Sequence, residues 1–444
     1  MIRLIVRDMR YHASAWSGAF LVAVLCGCLG GWALALRASA DAAPEAVRFT
    51  LIAGAESIVM FSTVAAVIVL VCTACATVGI QRKTYALWQL AGASPFRVGT
   101  IVAVQLLVVG AIGAVAGTLI ASGTLFLPVA LLARLNPGLA HADIVANPAA
   151  FPIVWAGVAG IFLIGGLKGA IDAGRTPALL ALRGDVRRAR GFTAARAVFL
   201  LVVMLCSAWL VSFCCTSVDN AMRAGVFVPS VFSLVVALAA PVAMPVFLRA
   251  WTALVGVRFD AWYLARRAAA RGVAVDSAVE TPIVAAFSIL AGFFSFLAAV
   301  LSYGKEYGQD VNVPDIVPIV FMLGGPVLVF ALGAAVGVIA AVPSRTSDIS
   351  LMAALGARPA MQVASVVGEA FIHATTASLA GVCCTVASSF VYARAFGIDV
   401  MGAVSLAPGL AVYVLGFALI LIAALAPAVC ALCADPARCF GRVE

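Results

Sequence analysis

Apolar residues run in long, unalternated blocks along this chain, near 13–36, 51–80, 97–127, 150–172, 196–217, 226–249, 280–302, 314–342, 361–393 and 406–432, with polar residues gathered between them. No block alternates with a period of two, so they predict helices rather than strands. About 20 apolar residues cross a hydrocarbon core of about 30 Å, and in lipid only helices and closed barrels satisfy their backbone groups. The pattern therefore predicts an all-α polytopic membrane protein with about ten transmembrane helices. The second and eighth blocks are longer than a bilayer requires, which means tilt or a rigid projection beyond the membrane.

Between the second and third blocks, the segment Arg82 to Ala91 is too short and too polar to cross, and it predicts a separate surface helix. Tyr85, Trp88 and Ala91 recur at i, i+3 and i+6, which gives that helix one apolar face. Gly92 suits a left-handed stop, and Ser94-Pro95 supplies an N-cap and first-turn proline for the helix that follows. The same phrase returns 264 positions later: Gly92-Ala93-Ser94-Pro95 is echoed by Gly356-Ala357-Arg358-Pro359, after a second short segment, Asp348 to Leu355. At this offset Leu87 meets Leu351, Val102 meets Val366, Gly117 meets Gly381 and Gln105 meets Glu369. Arg7 and Arg10 before the first span are echoed by Arg266, Arg267 and Arg271 before the seventh, and Thr176-Pro177-Ala178 by Asp435-Pro436-Ala437.

An internal repeat fixes the architecture. The expected layout is a four-span repeat with an amino-terminal interfacial helix over residues 1–190, a two-span linker over 191–256, and a second four-span repeat over 257–444. Both copies start on one side of the membrane, which makes them parallel repeats. The short helix of each copy is expected to dock a cytosolic partner.

Composition and charge agree with this reading. The 444 residues are 64% hydrophobic and 11% charged, against roughly 45–50% and 25% in soluble domains. With the amino terminus inside, all of the 28 basic residues except Arg37, Arg48, Arg134, Arg223, Lys305 and Arg394 fall on the cytoplasmic side. That asymmetry places a multi-pass protein in the cell membrane with both termini cytoplasmic. The net charge of +9 then reports topology and contact with anionic membrane lipid, and no nucleic acid is expected as a partner. Arg3, Arg7 and Arg10 followed by an apolar run ending in Ala38-Ser39-Ala40 resemble a signal peptide. The run is longer than a signal core and has a counterpart in the second half, so it is read as a retained helix.

The residues Arg82, Ala86, Leu87, Gly92 and Ala93, with Arg345, Asp348, Ile349, Leu351, Leu355, Gly356 and Ala357, carry a resemblance to the FtsX-like permease domain of ABC transporters. The copies depart from that pattern at Thr84, Gln89, Ala91 and Ala353. The resemblance covers nearly the whole chain as two such domains. The span count is similar to that of peptide-antibiotic resistance permeases, without their large extracellular domain between spans seven and eight. It implies a permease subunit bound by two copies of a separate ABC ATPase, docked at Arg82, Lys83, Tyr85, Leu87, Trp88, Gly92 and Ala93 and at Asp348, Ile349, Leu351, Leu355, Gly356 and Ala357. No Gly-x-x-x-x-Gly-Lys-Ser/Thr phosphate loop occurs in the chain. The chain is thus expected to be no enzyme and to hold no cofactor, with ATP and Mg on the partner.

The function expected from these features is export or extraction of an amphipathic or lipid-embedded molecule such as a peptide, antibiotic or lipid. The alternative is mechanotransmission, in which the permease relays ATPase motion to a sensor kinase or cell-wall enzyme. A third reading, a secondary transporter coupled through Glu369 or Asp172, is disfavoured by the duplicated helices. Within the spans Gln105, Glu369 and His373 form a possible polar site at mid-bundle, or else an interhelical hydrogen bond that fixes packing. The twelve cysteines are read as small packing residues, without a metal site, because the Cys-x-x-Cys pairs lack His or acidic neighbours. The two docking helices offer different residues, Tyr85 and Trp88 against Ile349 and Leu351, so unequal binding is expected.

Overall fold

The computed structural model describes residues 7–9, 11, 13–133, 148–175, 194–255, 260–275, 279–308, 323–338, 352–353 and 355–433. Among them every long element is a helix, and nine helices are long and apolar enough to cross a membrane. The chain is an all-α multi-pass membrane protein. The eighth expected span is represented by a shorter apolar helix, Leu323–Val338, and the flanks that would complete it lie outside the described residues.

Two compact units organise the chain, Met1–Arg187 with Val313–Val336, and Arg188–Asn312 with Gly337–Glu444. The first holds α1 (Ala13–Ala42), α2 (Glu45–Ile80), α3 (Arg82–Leu90), α4 (Pro95–Gly123), α5 (Phe126–Ala133) and α6 (Phe151–Arg175). Helix α2 has 36 residues, which at 1.5 Å per residue is about 54 Å, more than a hydrocarbon core. Lipid tails supply no hydrophobic drive between helices, so small residues that allow backbones to approach decide where they meet. Gly117 of α4 lies against the backbone of α1, where an added Cβ would come within 2.1 Å of the Val24 carbonyl oxygen. Gly174 of α6 meets Pro95 of α4, and Gly165 meets Val71 of α2, in the same way.

The second unit holds α7 (Ala194–Cys214), α8 (Val218–Ala224), α9 (Val228–Leu254), α10 (Asp260–Val275), α11 (Glu280–Glu306), α13 (Pro359–Phe396) and α14 (Ala407–Cys433). Its centre is α13, a helix of 38 residues against which α9, α10, α11 and α14 all pack. The indole N–H of Trp251 on α9 donates to Thr376 Oγ1 at 2.9 Å, and Tyr392 Oη donates to the Gly225 carbonyl at 3.1 Å. The packing register repeats between units. Gly117 of α4 faces Val24 and Cys28 of α1, and its counterpart Gly381 of α13 faces Phe287 of α11, one position from the equivalent of Val24.

Helix α12 (Leu323–Val338) falls within residues 257–444 by sequence, yet it packs in the first unit. Gly325 meets Leu29 of α1, Gly333 meets Val69 of α2, and Val336 covers Gly18 of α1. A duplicated sequence specifies the same helices twice, but it does not oblige each helix to pack within its own copy.

Candidate functional site

The site expected around α3 begins where α2 ends. Gln81 forms a turn, and the chain restarts as a nine-residue helix whose stop is built the same way as that of its repeat. Gly92 has φ of +92° and Gly356 of +84°. The Gly92 N–H donates to the Gln89 carbonyl and that of Ala93 to Trp88, at 3.0 and 2.9 Å; Gly356 donates to Ala353 and Ala357 to Met352, both at 3.0 Å. These paired bonds satisfy the last carbonyls before each stop and reverse the chain. Ser94 then caps α4 by accepting from the Arg97 N–H, and Pro95 and Pro359 each open the following helix. Among the described residues an added Cβ would meet nothing within 4 Å at either glycine, so the requirement for glycine comes from the backbone angle. Gly92→Ala and Gly356→Ala are each expected to cost about 1–2 kcal/mol from left-handed strain, read as lower melting temperatures with unchanged expression. Equal stability of both variants to the parent would contradict the assignment.

The faces of α3 differ from the expected ones. Tyr85 points inward at 1% exposure, and its Oη donates to the side-chain oxygen of buried Gln81. Burial, with the Asp8 carboxylate nearby, holds this phenol above its usual range. Gln89 Nε2 donates to the carbonyls of Ala173 and Gly174 at 3.0 and 2.9 Å, filling acceptors left open at the end of α6. Tyr85 and Gln89 therefore anchor α3, and Trp88 is half-buried with its ring edge-on to Tyr85 at 5.5 Å. The outward apolar residues are Leu87 and Leu90, both 53% exposed, joined just past the stop by Phe96 at 84%. Leu90 and Phe96 escaped the sequence reading, although Leu87 and Leu90 stand at i, i+3. A nine-residue helix with two apolar stripes does not reveal which one is inside.

Beside α3, Phe96, Gly99, Thr100, Leu167 and Ile171 line a cleft of about 400 Å³ between the first turns of α4 and the last turns of α6. At the stop of α3, Gly92 is exposed and Ala93 half-buried. In the second copy Leu355 is 81% exposed and Gly356 is exposed, with Ala357 half-buried. Asp348, Ile349 and Leu351 lie outside the described residues, as do the side chains of Arg82 and Lys83.

No family model, curated protein or solved structure matches this chain. What the arrangement can do is therefore argued from its own geometry.

The second expected site divides into two. In the first unit Gln105 is fully buried, and its Nε2 donates to Asp8 Oδ2 at 2.8 Å. In the second unit Glu369 and His373 share one face of α13, with His373 Nε2 3.5 Å from Glu369 Oε1. The other ring nitrogen, Nδ1, pairs with Glu280 Oε1 from the first turn of α11. Glu280 is 0% exposed, and among the described residues its Oε2 has no hydrogen-bond partner. One imidazole thus lies between two carboxylates. Sequence reading missed Glu280 because a glutamate at the edge of an apolar block resembles an ordinary first-turn acid facing the helix dipole. The repeat offered no hint either, since the offset of 264 places buried Trp16 at the equivalent position.

About 30 Å of helix separates His373 from exposed Arg394 at the far end of α13. Glu280 opens α11, so the three side chains meet beside the first turn of that helix. Among the described residues no group of His, Cys, Asp and Glu has the arrangement of a metal site.

Proposed function

We propose that this chain is the permease subunit of an ABC transporter, with two FtsX-like domains that receive separate ATPase subunits at α3 and at the segment ending in Gly356. The observation that carries this reading is the pair of matching helix stops, each bearing exposed apolar side chains: Leu87, Leu90 and Phe96 at one, and Leu355 at the other. Large exposed apolar groups gathered around backbone-defined helix stops make a surface suited to a protein partner. Helix α2 runs straight into α3 through a single turn residue and is longer than the hydrocarbon core. Motion of a docked ATPase would pass along it into the first unit. The short loops support a substrate taken from the membrane itself, an amphipathic or lipid-embedded molecule, with the chain lying in the cell membrane and both termini in the cytoplasm.

The test is co-purification with an ABC ATPase encoded beside the permease, followed by ATP hydrolysis in nanodiscs with candidate amphipathic substrates. The double variant Leu87→Asp/Leu90→Asp is expected to weaken ATPase recovery about tenfold or more, the scale of a lost hot spot. Leu355→Asp should have a smaller effect, because among the described residues that stop exposes one large apolar side chain against three. Undiminished recovery from folded variants, or hydrolysis unaffected by every substrate class, would overturn the proposal.

A further inference from the structure

The two spans that link the repeats carry a feature that the docking surfaces do not involve. Helix α9 contains Pro241 and Pro245 in its interior. A proline has no N–H, so Pro241 cannot serve the carbonyl of Ala237 one turn earlier, and its ring crowds that carbonyl. Within hydrocarbon a carbonyl without a donor costs several kcal/mol, of the order of the 2–7 found for unpaired amides. The structure fills the gap from the neighbouring helix. Arg196, in the first turn of α7, donates from Nη2 to the Ala237 carbonyl at 3.0 Å and from Nε to the Leu238 carbonyl at 2.7 Å. Two adjacent donors of one planar guanidinium reach two successive backbone oxygens.

Position makes this more than a surface contact. The acceptors lie ten and eleven residues into a helix of 27, so the arginine side chain runs from the end of α7 towards the middle of α9. Arg196 itself is half-buried. An arginine at depth and a proline inside a spanning helix are each unfavourable alone, the first through its buried charge and the second through its missing donor. Paired, each supplies what the other lacks.

We infer that Arg196 replaces the donor removed by Pro241 and sets the stiffness of α9 at 237–241, so that the linking pair is a hinge held by one cation. With the guanidinium seated, the break in the hydrogen-bond ladder is closed from outside and α7 and α9 move together. When it leaves, α9 has an unsupported turn at which to bend. Arg196 is a positioning residue, acting through the backbone of α9.

A double-mutant cycle on the full chain in nanodiscs tests this, using thermal unfolding and amide hydrogen exchange across residues 238–246. Arg196→Met should lower the melting temperature and speed exchange in that window at least tenfold. Pro241→Ala restores the helical bond and should make the arginine dispensable. The double variant should therefore exchange as slowly as Pro241→Ala alone. Equal damage from Arg196→Met with and without Pro241 would overturn the inference. If Arg196→Met does not fold, Arg196→Lys, which keeps the charge but not the fork, should give the same dependence on Pro241 in milder form, and its absence would count equally against the hinge. None of these measurements involves the ATPase, so the hinge and the docking surfaces stand or fall separately.

Discussion

Replacing His373 with leucine is expected to destabilise the second unit more than any other single change in its triad. The imidazole stands between Glu280, fully buried, and Glu369, 14% exposed by side chain. Its removal takes from both carboxyl groups the imidazole nitrogen that each now meets. Breaking a buried ion pair by deleting one partner costs about 3–5 kcal/mol, because the remaining charge keeps its desolvation penalty. Glu280→Leu should cost less, since His373 keeps Glu369. The triple variant Glu280→Leu/Glu369→Leu/His373→Leu should recover most of the loss, as apolar replacement of a whole buried charge group is often neutral or stabilising. Melting temperatures in detergent with a bound lipid analogue report the order. A triple variant as unstable as His373→Leu would show that packing, not charge, accounts for the cost.

The second large effect concerns glycine. Gly117→Ala should sharply reduce the yield of folded protein, because the new Cβ would lie 2.1 Å from the Val24 carbonyl oxygen and 2.7 Å from the Cys28 nitrogen. Both neighbours are backbone of α1 and cannot rotate away, so the helices must separate. The penalty should reach or exceed the roughly 1–3 kcal/mol typical of overpacked cores. At its repeat counterpart Gly381 the nearest atoms belong to the Phe287 side chain, at 2.7 Å, and Gly381→Ala should be milder. Gly160 in α6 has nothing within 4 Å of an added Cβ. There alanine should be neutral or gain up to about 1 kcal/mol of helix propensity. Size-exclusion profiles and thermal unfolding of the three variants give the ranking, and a Gly117→Ala protein as stable as Gly160→Ala would refute the contact.

These variants probe features that the sequence announces to different degrees. Gly117 and Gly381 are visible as a repeated letter, and so are the stops at Gly92 and Gly356. A left-handed φ is a local demand that one residue type meets, so a repeated glycine before a proline can be read without knowing the rest of the fold. Gly117's severity is a different matter, since it depends on which atoms of α1 lie opposite. Tyr85 shows the same limit on a short helix. Its stripe competes with that of Leu87 and Leu90, and the buried acceptor on Gln81 with the carbonyls that Gln89 reaches decides which turns inward.

The triad and the hinge were less legible still. Glu369 and His373 stand four apart on one helix and can be paired by counting, but Glu280 joins them from a position 93 residues away. Pro241 announces a missing donor, whereas the acceptors that Arg196 reaches are backbone carbonyls, which every residue has and no letter marks.

By itself, then, the sequence determined what depends on near neighbours and on solvent: the all-α membrane class from continuous apolar blocks, the duplication from its offset, and the helix stops from backbone angles that only glycine adopts easily. The tertiary structure decided what depends on distant approach. It set which side of α3 is free, which carboxylate completes the pair on α13, which cation closes the break in α9, and that α12 packs with α1 and α2. Each of these is fixed by complementary shape and by buried polar groups finding partners, and those partners are far apart along the chain.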